Sequence, residues 1–322
     1  MTHPLRPMNL GGILDRAVQI FRAQPLLFIG LGAIPGLAAL AYQLASVHPA
    51  KTVDSTPAHI GLVAASYLTS FLCWVVQVVL GPISTAAVCL AVSRINLGES
   101  ITIGEAFGKF LSKAGRLFGL SFLQGLYAGW PFIIAAIVAA IIAGASMAVG
   151  GASGTYIIWS VMLLGAIPCI ALYTRYALAF PATAIENLTA SESIDRSIAL
   201  SEDGRWRICW GFLVPMVPSM ILSLGSAELL EYLKQSNALL ANNPLLVAAI
   251  NGGVELIATL VFTPYAAIVM TLLYYDQRIR KEGFDVERMM AAAGLNGHPD
   301  TNPTPPPVSP WTELPPWEDY GA

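Results

Sequence analysis

Asp276, Arg278, Arg280, Lys281, Glu282 and Asp285 crowd one short stretch directly after the pair Tyr274 and Tyr275. Mixed charge beside an aromatic belt is suited to holding anionic lipid headgroups or docking a cytoplasmic partner. The same charges would also serve simply to fix the orientation of a helix end. Asp276 with Arg280, and Lys281 with Asp285, stand four residues apart, a spacing for helix ion pairs worth only a few tenths of a kcal/mol. Arg175, Glu255 and Gln124 are a second set, polar residues in or beside apolar runs, where ionisable groups suggest a substrate or ion path. Against that, Arg175 is close enough to the inner end of its run to snorkel to phosphate. Glu255 precedes Tyr275 by about 30 Å of helix at 1.5 Å per residue, near the opposite surface. Neither is placed at mid-membrane, so anchoring or pairing at the interface is the stronger reading for both. The usual catalytic patterns are missing: Cys73, Cys89, Cys169 and Cys209 are scattered singly, and the histidines are His3, His48, His59 and His298. Without paired Cys or His spacing, a glycine-rich phosphate loop or a nucleophile elbow, the reading is no enzyme, no cofactor and no metal.

The elements that must position these residues are apolar and long. Of the chain, 55% is hydrophobic and only 11% charged, with a mean hydropathy of +0.63, against about 25% charged in a soluble domain. Charge is absent from residues 23–50, 60–93, 117–174, 208–227 and, after Glu255, 256–275. A bilayer core of roughly 30 Å needs about 20 apolar residues per helix. The expected fold is therefore an all-α integral membrane protein, a bundle of six spans at about 25–45, 61–91, 118–149, 156–180, 208–230 and 245–275. Threaded this way with both termini in the cytoplasm, all of the 17 Lys and Arg residues except Lys51 and Lys234 fall inside. That asymmetry is the positive-inside rule, and splitting the second run in two would destroy it. The pI near 5.8 reflects an acidic tail, and nothing supports a nucleic-acid partner.

Short amphipathic helices are expected before each pair of spans, at about 10–22, 102–117 and 190–203. Gly11-Gly12-Ile13-Leu14-Asp15-Arg16, Gly104-Glu105-Ala106-Phe107-Gly108-Lys109 and Ser191-Glu192-Ser193-Ile194-Asp195-Arg196 align at similar separations, an internal threefold repeat. Thr102 with Glu105 and Thr189 with Glu192 fit a capping box, whereas the first copy offers Asn9 but has Gly12 where the acid belongs.

These stretches, together with Leu272-Leu273-Tyr274-Tyr275-Asp276-Gln277-Arg278-Ile279-Arg280-Lys281-Glu282-Gly283-Phe284-Asp285, resemble the bacterial glycerophosphoryl diester phosphodiesterase membrane-domain family over about residues 8–290. The resemblance implies a bacterial inner-membrane location. It does not imply the enzyme, whose chemistry in that family lies in a separate barrel with a His-Arg pair, acidic metal ligands and a second His. No histidine here precedes an arginine, and no segment is barrel-sized.

Each expected span holds proline: Pro35, Pro82, Pro131, Pro168, Pro215 with Pro218, and Pro264. Transporter hinges and ordinary packing kinks are both compatible with that pattern. Ala136, Ala140, Gly144 and Ala148 place a small residue at every fourth position, a seam for close helix approach that leaves oligomeric state open. The segment 296–322, rich in proline, is expected to be a disordered cytoplasmic tail. The expected role is a non-catalytic membrane scaffold or lipid-associated protein, whose partners would be membrane lipids and other membrane or cytoplasmic proteins. The alternative is a transporter or lipid-translocating protein.

Overall fold

A computed structural model describes residues 8–47, 57–149 and 153–283. Asp285 and the segment 296–322 lie outside the described residues. The described residues contain helices and no strands. In chain order these are α1 (Leu10–Ala23), α2 (Pro25–Ala45), α3 (Pro57–Asn96), α4 (Ile103–Leu111), α5 (Ala114–Val149), α6 (Ser153–Tyr176), α7 (Ala179–Glu186), α8 (Ala190–Ser201), α9 (Arg205–Ser236), α10 (Ala238–Asn242) and α11 (Pro244–Glu282). Six stretches, falling in α2, α3, α5, α6 with α7, α9 and α11, are long and apolar enough to cross a membrane. That is the make-up of a multi-pass membrane protein.

Local chemistry sets where the short helices start. Asn9, in extended conformation, accepts the Gly12 N–H at 2.7 Å and begins α1. Thr102 and Glu105 form the reciprocal box on α4, with the Thr102 N–H donating to Glu105 Oε2 at 2.9 Å. Thr189 and Glu192 repeat it on α8, at 2.8 Å for the corresponding bond. Each box satisfies amides that have no partner inside the helix. Such bonds to backbone amides hold both carboxyls below the ordinary glutamate range.

The interior is packed most densely at the end of the bundle where α1, α4, α7 and α8 meet the long helices. There Ile83 to Val92 of α3, apart from the partly buried Thr85, and Ala267 to Tyr274 of α11 are buried. Both stretches are apolar on every face save for Ser84, Thr85 and Thr271, whose hydroxyls donate to backbone carbonyls, which is what a helix surrounded by others requires. Ile13, Phe28, Leu31, Phe110, Leu117, Leu178 and Leu200 complete this core. Elsewhere the long helices turn large apolar residues outward, among them Phe71 and Trp74 on α3, Ile133 and Ile141 on α5, Leu163 and Leu164 on α6 and Ile221 on α9. Gly211 lets α9 lie directly on α11, because a Cβ there would run into Leu273.

Several expected boundaries differ. The expected amphipathic helix 102–117 divides at Ser112 and Lys113, so its second part is the first turn of α5. The expected span 156–180 breaks after Tyr176, and the chain turns into α7 before reaching Asn187, whose φ of 57° is left-handed. Asparagine tolerates that conformation better than most residues. α9 and α11 run beyond 208–230 and 245–275 at both ends, and α10 was not foreseen. The small-residue seam of α5 faces its neighbour one position earlier than expected. Pro131, Ala135 and Ala139 are buried there, while Ala140 is exposed and Ala136 is partly so; the side chains at 144 and 148 lie outside the described residues. Small residues recur every fourth position on both stripes, and packing selects the one against which Gly165 of α6 fits, with its Cα close to Ala135.

Candidate functional site

Asp276 is the deepest charge of the C-terminal cluster, with 1% of its surface exposed. Burial of a carboxylate demands compensation, and three groups supply it. Its Oδ1 accepts the Met8 N–H at 2.9 Å, while Oδ2 meets Arg207 Nη2 and Arg280 Nε, each at 2.9 Å. Both guanidinium groups also donate to the Met8 carbonyl, at 2.7 Å from Arg207 and 3.0 Å from Arg280. The backbone just ahead of α1 is thus gripped through its N–H and its C=O by α9 and α11. The expected Asp276–Arg280 pair forms, but as one edge of a clamp between distant segments.

Beside it lies a second set of charges. Glu186, the last residue of α7, accepts from Tyr274 Oη and from Arg196 Nε and Nη2, the latter two at 3.1 Å. Arg196 of α8 also donates to Glu282, at 2.8 Å through Nη2. Arg278 sits between the acids, 3.1 Å from Glu282 and 3.6 Å from Glu186, with its guanidinium 6.0 Å from the Tyr274 ring centre. Hydrogen bonding to Glu282, outweighing partial burial, holds the Arg196 guanidinium even further from deprotonation than usual. Lys281 reaches α8 and the turn after it, donating to the Ala199 carbonyl at 2.7 Å and pairing with Asp203 at 2.9 Å; its expected partner Asp285 is outside the described residues. Tyr275 donates to Ser93 Oγ at 2.9 Å. The cluster expected from the sequence therefore stands together with Glu186, Arg196, Arg207, Asp203 and Met8, joining α1, α3, α7, α8, α9 and α11.

The second expected set does not converge. Gln124 of α5 is buried and donates to the Tyr176 carbonyl, capping the end of α6. The Arg175 Nε is buried with no hydrogen-bond partner among the described residues, while the Arg175 carbonyl accepts Ser197 Oγ at 2.8 Å. Glu255 lies toward the far end of α11 and accepts Ser223 Oγ of α9 at 2.6 Å; one helical turn away Ser226 donates to Asn251 at 3.1 Å. Lys113 and Arg116, on the turn into α5, both donate to Asn187 Oδ1, at 2.6 and 3.0 Å, and so hold the left-handed turn after α7. Lys109 nearby is easier to deprotonate than usual, chiefly through partial burial and also through the neighbouring Arg94 and Lys113.

A cavity of about 380 Å³ lies among α3, α6, α7, α9 and α11. Thr85, Tyr173, Phe212, Met216, Met220 and Met270 are in its mostly apolar wall, which includes none of Arg175, Glu255 or Gln124.

Glu186 was the principal omission. It is the one acidic residue between Arg116 and Glu192, and that isolation in an apolar stretch was the available signal. No curated protein and no solved structure is significantly similar to the chain. The segment from Met8 to Gln277, which runs from one side of the clamp to the other, matches a family described as a domain of unknown function, DUF7847, and the chain belongs to that family.

Proposed function

We propose that this is a six-span protein of the bacterial inner membrane, non-catalytic by itself, with both termini in the cytoplasm. On this reading it is a scaffold, or a lipid-associated partner of other envelope proteins, related to the glycerophosphoryl diester phosphodiesterase membrane-domain family. Its architecture is three copies of an amphipathic helix followed by a transmembrane hairpin. The side-chain caps that open α1, α4 and α8 support the threefold organisation. The observation that carries the functional reading is the charged lattice, whose acids and guanidinium groups tie α7, α8, α9 and α11 to one another and to the backbone ahead of α1, with the Tyr275–Ser93 bond adding α3, at one end. A rigid platform facing one side of a bilayer is what a scaffold needs. The outward apolar flanks of α3, α5, α6 and α9 suit a hydrocarbon surround.

Photoreactive residues at the exposed positions Leu97 and Leu111, on the charged end, and at Leu239, on the opposite end, test this in native membranes. A reproducible protein partner crosslinked from 97 or 111 and not from 239 is the expected result. Absence of any specific partner at all three positions counts against a scaffold.

The bonds from Ser223 to Glu255 and from Ser226 to Asn251 favour the transport reading, since they place polar groups between α9 and α11. A passage built on them loses transport in Glu255→Gln. The scaffold reading expects that variant to crosslink as the parent protein does.

A further inference from the structure

The cleft between α6 and α9 opens sideways where Met216 and Met220 are exposed. Its inner wall is α11, with Met270, and its end nearest the charged lattice is crossed by the Tyr173 and Phe212 rings, whose centres are 4.6 Å apart. Thioether side chains adapt to irregular apolar guests, and 380 Å³ is within the usual range for ligand pockets. Toward the charged end, the same stripe of α9 leads to Arg205. Positions 205, 212, 216 and 219 share one face at 3.6 residues per turn, so Arg205 stands about 10 Å along the axis from Phe212. Arg205 is exposed and makes no hydrogen bond or ion pair among the described residues, unlike Arg196, Arg207, Arg278 and Arg280 around it. Next to it Trp206 and Trp210, exposed and packed edge to face with centres 5.7 Å apart, have the character of headgroup-level anchors. Along the one face of α9, an unengaged cation followed by an apolar cleft has the order of a phospholipid's phosphate and acyl chain, and the tryptophan pair on the adjoining face marks the headgroup depth.

We propose that this cleft is a phospholipid site, taking one acyl chain between α6, α9 and α11 while Arg205 meets the phosphate of an anionic headgroup. Arg rather than Lys at that place suits a bidentate phosphate contact. The inference rests on the membrane placement proposed above but not on the scaffold role.

Native mass spectrometry of the full chain, titrated with dioleoyl phosphatidylglycerol and separately with dioleoyl phosphatidylcholine, tests it. One phosphatidylglycerol bound ahead of any others, and ahead of phosphatidylcholine, is expected. Arg205→Ala should weaken that first event about tenfold, and Ser219→Trp, which fills the cleft, should abolish it. Lys109→Ala should leave it unchanged, because that cation lies away from the cleft. Equal binding by all four proteins, or equal losses in Lys109→Ala and Arg205→Ala, would mean unspecific annular lipid and overturn the proposal. Should Ser219→Trp fail to fold, dihexanoyl phosphatidylglycerol on the unmodified protein decides the matter: the same headgroup with short chains should bind far more weakly, and equal affinity sinks the acyl-chain half. These readouts need no protein partner, so failure of the scaffold reading would show up in the crosslinking and not here.

Discussion

Replacing Asp276 by alanine would remove the one acceptor of the Met8 N–H and the counter-ion of both guanidinium groups, leaving the Met8 carbonyl as their remaining shared acceptor in the clamp. Because the guanidinium groups left behind are partly exposed and water can reach them, the loss is about 1–3 kcal/mol. The expected outcome is a matching loss in unfolding free energy in detergent, with faster amide exchange throughout α1; wild-type exchange in α1 would show that the clamp does not hold that helix. Asp276→Asn should be milder, since its amide oxygen can still accept from Met8. Sequence showed part of this site. The Asp276–Arg280 spacing is local and was visible, whereas Tyr274 and Glu186 are 88 residues apart and leave no periodic trace. Arg207 looked like one more inside charge, and nothing in a one-dimensional pattern distinguishes it from the unengaged Arg205.

Helix starts were legible for the opposite reason, because a cap is written within four residues. Thr102 and Glu105, and Thr189 and Glu192, form the reciprocal bonds their spacing implies, and Asn9 serves without its acid. In both boxes the folded-state carboxyl pKa lies below its unfolded value, so the stabilisation is fully present above the ordinary glutamate pKa of about 4.3. It disappears as pH falls through the lowered value. Amide exchange in the first turns of α4 and α8 should therefore keep its protection down to about pH 5 and lose it at lower pH, while Glu105→Gln and Glu192→Gln flatten that dependence. Helix faces were harder to read. The small residues of α5 occupy two adjacent stripes, and only the approach of Gly165 to Ala135 chooses between them. Gly165→Leu should force α5 and α6 apart and destabilise the protein by about 1–3 kcal/mol, measured by thermal unfolding, whereas Ala140→Leu on the exposed neighbouring stripe should be nearly neutral.

At the level of the whole molecule, charge and hydropathy alone identified the six long apolar helices, since a bilayer-length requirement is imposed on each independently. The break between α6 and α7 escaped because Ala177 to Phe180 is apolar on both sides of the turn, and what holds that turn, Ser197 Oγ accepting the Leu178 N–H and donating to the Arg175 carbonyl, comes from α8. Sidedness has a direct test in a variant whose cysteines at 73, 89, 169 and 209 are replaced. Lys109→Cys should react with a membrane-impermeant reagent only after the cells are opened, and Lys234→Cys should react in intact cells; the reverse pattern would invert the proposed orientation.

The hold on Met8 sets an order of events. Its receptors, Arg207, Asp276 and Arg280, follow it in the chain by 199, 268 and 272 residues, so α1 finds its seat only long after it has itself been made. Until α11 has been made, the apolar face of α1 carrying Ile13, Ala17 and Ile20 lacks its final cover. A nascent chain halted before α11 would present that face to whatever surveys the membrane, giving quality control a mark that a finished molecule no longer displays.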